Sequence, residues 1–137
     1  MSNEEIWKGN KLIAEFLEIK FINDAPEDYP NGYWYKSSMG EDDVWCDIPM
    51  DIEDWEFHTN YSWVMSVVEK IESLKYIDEF NIIYDSVSKG THVQILPAYK
   101  ETFEGIFTKV CSSKIEAIFA GICEFLEDYK ANHKNWG

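Results

Sequence analysis

The end of this chain has little choice of structure. Ser113-Lys-Ile-Glu116 has the S-x-x-E spacing that lets a serine and a glutamate satisfy each other's free amides at a helix start. Ile115, Ile118, Phe119, Ile122, Phe125, Leu126 and Tyr129 then recur on one helical face, predicting a helix to about Asn132. Trp63, Val64, Val67, Val68, Ile71 and Leu74 form a second stripe, with Glu69, Lys70 and Glu72 on the wet side. They predict a helix over Ser62 to Leu74, capped by Asn60 or Ser62. Ile6, Ile13, Phe16 and Leu17 predict a third helix over Asn3 to Glu18, weakened by Gly9 and Asn10.

Between the helices the period shortens to two. Phe80 to Ser86 and Thr91 to Leu96 flank Ser88-Lys-Gly90 as a hairpin would. Val93 and Ile95 alternate there with His92 and Gln94, and Pro97 ends the strand. Gly32 to Lys36 and Val44 to Ile48 read as strands around a turn at Ser37 to Gly40. Ile19 to Ile22 reads as the start of a strand, and Asp54 to Phe57 as a half-exposed one. The order implies an α+β fold: an antiparallel sheet packed by about three helices on one face, within a single domain spanning residues 1–137. Regular βαβ alternation is missing, which argues against a parallel sheet.

Charge bounds the function. The chain carries −14, with twelve lysines and no arginine. Arginine is the preferred fork for phosphate and guanine edges, so direct nucleic-acid binding is disfavoured, as is attraction to anionic lipid. The excess is concentrated. From Asp24 to Phe57 there are eleven acids, and Lys36 is the only base. Tyr29, Tyr33, Trp34, Tyr35, Trp45, Trp55 and Phe57 are interleaved with them. Crowded carboxylates repel one another and oppose folding, so a basic partner would relieve them. Trp55, between Asp54 and Glu56, alternates against the acids and is expected to point inward.

Two stretches carry a resemblance. Tyr61-Ser-Trp-Val-Met-Ser-Val-Val-Glu-Lys-Ile71, followed later by Ser113-Lys-Ile-Glu-Ala117 and Glu124-Phe-Leu126, resembles a group of small uncharacterised acidic proteins of Bacteroidota phages and prophages. Asn10-Lys-Leu-Ile-Ala-Glu-Phe16 is similar to that group's opening, and Ser66 stands where the group often has proline. The matched positions are mainly core residues. The resemblance implies a fold and a mobile-element setting, with an anti-CRISPR or other anti-defence role as the expectation, and carries over no active site.

Other chemistries have weaker footing. Asp42, Asp43, Asp47, Asp51, Glu53 and Asp54 offer oxygen ligands, but no window has the EF-hand order, so no metal is expected. His58, His92 and His133 are far apart, and Cys46, Cys111 and Cys123 have no paired spacing for zinc. Cys111 precedes a capped helix, a position that can lower a thiol pKa, and His92 in the preceding hairpin is the base that would approach it. That arrangement defines the alternative reading, a small ligand-binding domain or Cys/His enzyme. No nucleotide-binding or hydrolase glycine motif is present. No cofactor is expected. An odd cysteine count and an N-terminus without a signal-peptide pattern favour a reducing bacterial cytoplasm.

The leading expectation is a non-enzymatic phage or prophage inhibitor of a basic, nucleic-acid-handling host protein, such as a CRISPR–Cas effector or another defence nuclease. The expected contact residues are Glu41, Asp42, Asp43, Asp47, Asp51, Glu53 and Asp54, with Trp34 or Trp45 as a buried anchor. A structural or self-associating phage accessory protein is the third reading.

Overall fold

The computed structural model describes residues 1–18, 32–36, 45–51 and 55–136, with the backbone alone at 32–36 and 45–51. The expected strand at Ile19 to Ile22 lies outside the described residues. The chain divides into two compact units, Met1–Phe57 and His58–Gly137.

The first unit opens with α1 (Asn3–Phe16). Its start is another S-x-x-E: the Glu5 N–H donates to Ser2 Oγ at 3.2 Å, and the Ser2 hydroxyl donates to the Glu5 carboxylate at 3.1 Å. Gly9 and Asn10 do not interrupt α1; both are buried on the side that carries Ile13, Ala14 and Phe16. The helix ends at Leu17, and Glu18 takes the left-handed conformation at φ 60° that closes many helices. Two strands follow, β1 (Gly32–Lys36) and β2 (Trp45–Asp51), paired antiparallel. Trp55 and Phe57 are buried in a T-shaped pair 5.8 Å apart, and Glu56 between them is exposed. Trp55 is therefore inward, as its alternation implied. The expected strand over Asp54 to Phe57 is not formed among its described residues, because Phe57 already enters a turn.

The second unit carries α2 (Tyr61–Glu72), β3 (Ile77–Asp85), β4 (Gly90–Pro97), β5 (Ile106–Phe107) and α3 (Lys114–Asn132). Asn60 is the cap of α2, its Oδ1 accepting the Trp63 N–H at 3.3 Å. Ser113 caps α3, accepting the Glu116 N–H at 3.4 Å. The three strands form an antiparallel sheet in the order β3-β4-β5. α3 lies on β4 and β5, α2 lies on β3, and the two helices touch each other. This is an α+β arrangement. Thr91, Val93 and Ile95 of β4 are buried on the face that α3 covers, together with Ile118, Phe119, Ile122, Phe125 and Leu126 of the helix.

The short β5 is held by a side chain as well as by backbone. The Val93 N–H donates to Thr108 Oγ1 at 2.8 Å, and the Thr108 N–H donates to the Val93 carbonyl at 3.0 Å. Thr91 and Cys111 then exchange both backbone bonds at 2.8 Å. Two steps along β4 thus match three along 108–111, so one extra residue is accommodated there as a bulge.

The β3–β4 loop is tied by Asp85, which accepts the N–H of Val87 at 2.9 Å and of Ser88 at 3.4 Å. Those bonds, the Val87 one first, hold its carboxyl below the usual aspartate range. Lys89 closes the loop at φ 56°, a left-handed conformation that costs a residue with a Cβ about 1–2 kcal/mol. Lys89→Gly is therefore expected to stabilise the protein by about 1 kcal/mol, read as a shift of the urea midpoint at unchanged slope.

Candidate interaction surface

The β1–β2 pairing brings sequence-distant candidates into one two-stranded sheet. Gly32 pairs with Asp51, Tyr33 with Met50, Tyr35 with Cys46 and Lys36 with Trp45. Between Tyr33 and Tyr35 the ladder slips: one β1 residue, Trp34, stands against Asp47-Ile-Pro49 of β2. Pro49 has no N–H to give to a ladder, which suits it to an irregular stretch. Trp34 and Asp47 are thus at one level of the hairpin although twelve residues intervene between them. Trp34, Trp45, Asp47 and Asp51 are placed as backbone positions of this sheet; Glu41, Asp42, Asp43, Glu53 and Asp54 lie outside the described residues.

The charge asymmetry follows the structural division. Met1–Phe57 holds fifteen acids and four lysines, a net −11, whereas His58–Gly137 holds eleven acids and eight lysines, a net −3. Burial and then the neighbouring Glu127 push the Glu124 carboxyl above its usual range.

The sheet separates Cys111 from His92. Cys111 stands directly opposite Thr91, so their side chains share the α3-covered face. His92 is the next residue on β4 and points to the other face. The expected activation of the thiol is reversed as well. Burial holds Cys111 above its ordinary value of 9.0, Glu116 adds to this, and Lys109 opposes it. The thiol proton is therefore retained at neutral pH. The fold favours that protonated form, so its contribution to stability is complete below pH 9.0 and is lost as pH rises through the folded pKa. Native Cys111 is expected to react with iodoacetamide about tenfold more slowly than in the urea-unfolded chain, measured by peptide mass spectrometry. Cys111→Ala should flatten the fall of stability above about pH 9.

The histidines do not gather. His58 meets Phe119 edge-on at 6.0 Å, His92 lies on β4, and His133 stacks on Tyr129 at 4.2 Å. Among the described residues no group of three or more His, Cys, Asp or Glu side chains is arranged to hold a metal ion. No helix among them is long and apolar enough to cross a membrane. Compared with protein-family models, curated proteins and solved structures, the chain matches none.

Proposed function

We propose that this chain is an acidic inhibitor, encoded by a phage or prophage, that binds a basic nucleic-acid-handling protein of the bacterial host and occupies the surface meant for RNA or DNA. The observation that carries this reading is the concentration of charge: eleven acids against one lysine between Asp24 and Phe57, in a chain without arginine. The pairing of β1 with β2 supports it, since it sets Trp34 and Trp45 on the same small sheet as Asp47 and Asp51. Carboxylates on this unit stand in for phosphates. Complementary fields speed the encounter and make it salt-sensitive, while a tryptophan supplies the desolvated anchor. A CRISPR–Cas effector or another defence nuclease has the lysine- and arginine-rich channel that such a surface fits.

The test is a pull-down with the tagged protein from nuclease-treated host lysate at low and high salt, followed by binding kinetics on the protein recovered. A variant with Asp42, Asp43, Asp47 and Asp51 changed to Asn should associate about ten- to a thousandfold more slowly at low salt. Its thermal stability should equal or exceed that of the parent, because repulsion is relieved. Association of the variant at the parental rate would reduce the acidic segment to a solvated surface.

A further inference from the structure

The acidic segment is not the only surface with something to offer a partner. Val93 and Thr91 direct their N–H and carbonyl groups toward 108 and 111. By the alternation of an antiparallel ladder, His92 and Gln94 face β3, where they pair with Ile83 and Asn81. The N–H and carbonyl groups of Phe80, Ile82 and Tyr84 consequently point away from β4, along the outer edge of the sheet. Among the described residues no strand lies there, and beyond the β4 ladder the backbone of β3 makes one bond, from the Ile77 N–H to the Leu74 carbonyl. The edge is nine residues long, about 30 Å.

Proteins normally guard such edges with lysine, proline, a very short strand or a bulge. β3 has one irregularity at its start, between Ile77 and Glu79, and no guard in its middle. Phe80-Asn-Ile-Ile-Tyr84 has no charge, proline or glycine, and Tyr84 is 64% exposed. The charges that flank this stretch are of one sign: Asp78 and Glu79 before it, Asp85 after it, and no lysine anywhere on the strand.

We infer that the outer edge of β3 is a docking strand that takes up an extended, lysine- or arginine-bearing segment of another protein. Backbone bonds to Phe80, Ile82 and Tyr84 add that segment as a fourth strand, and Asp78 and Glu79 select its charge. A second copy of this chain is the poorer occupant. Two β3 edges would set like carboxylates against one another, between molecules that each carry −14. The inference goes beyond the proposed inhibition and stands without it, since it uses no residue of the acidic segment.

The experiment is amide hydrogen exchange by NMR on the full chain, with an acetylated nonapeptide alternating lysine and valine as the probe. The peptide should slow exchange at Phe80, Ile82 and Tyr84 by about tenfold or more, leaving the α3 amides unchanged. The same peptide with N-methylated backbone, and a glutamate–valine peptide, should not. Tyr84→Pro removes one outward donor without touching the β4 ladder and should weaken the lysine peptide about tenfold, whereas Tyr84→Ala should bind it like the parent. No slowing at the three amides, equal slowing by the N-methylated peptide, or unchanged binding by Tyr84→Pro would overturn the inference. Slowing that grows with protein concentration in the absence of peptide would overturn it in favour of self-pairing. The four-site Asn variant should keep the peptide effect, so failure of the inhibitor reading and failure of this one are separable.

Discussion

Phe125→Ala is expected to destabilise the protein by about 3–5 kcal/mol, a large part of the margin of a small domain. Phe125 is 0% exposed on α3 and packs at 5.7 Å from Phe103, 5.8 Å from Tyr129 and 6.2 Å from Trp136. Those rings belong to one cluster, because Trp136 also stacks on Phe103 at 5.2 Å and meets Tyr76 edge-on at 5.4 Å. Removing the central ring leaves a void that its neighbours, fixed on a helix, a loop and the chain end, cannot jointly close. Urea unfolding measures the loss. The effect should exceed that of the half-buried Ile115→Ala on the same helix, and near-equal losses would mean that the cluster collapses around the gap.

Gly121→Ala is the second large effect, and its sign is informative. In an open helix this change stabilises by about 1 kcal/mol, because alanine loses less freedom on folding. Gly121 sits where α3 crosses β4. A Cβ there would stand 2.7 Å from Val93 Cγ1, 3.1 Å from Val93 Cβ and 3.4 Å from the Thr108 methyl. Val93 is itself buried and bonded to Thr108, so it has little room to give way. A net loss of about 1–2 kcal/mol is expected from overpacking, and Gly121→Val should lose more. Pairing Gly121→Ala with Val93→Ala should recover part of the loss, as two changes sharing one contact do. A stabilised single variant would show that α3 rides higher over β4 than these distances imply.

What could be read from the residues was local. Caps and apolar spacing act within one or two helical turns, so α2 and α3 fall within two residues of their expected ends. The β3–β4 hairpin was legible because Val93 and Ile95 alternate with polar neighbours around a glycine-containing loop. Ser2-x-x-Glu5 repeats the spacing of Ser113-x-x-Glu116, and its cap was there to be read in the same way. Among the described residues of the stretch Asp54 to Phe57 no strand forms, for a related reason: alternating burial of Trp55 and Phe57 is also satisfied by a chain entering a turn. The two-residue β5 is too short to impose any period on the sequence.

The helices, the principal hairpin, the α+β class and the placement of the acidic charge each follow from residue type and near-neighbour spacing. The fold set what stands beside what. It put Cys111 and His92 on opposite faces, because a one-residue step along β4 reverses direction. It folded Trp136 back through the turn at His133–Asn135 into an aromatic cluster with Phe103 and Phe125. It left β3 at the edge of the three-stranded sheet, with the N–H and carbonyl groups of Phe80, Ile82 and Tyr84 directed away from β4. Neighbours of that kind are set by pairings between segments far apart in the chain, and no local pattern of side chains encodes which edge of a strand stays open.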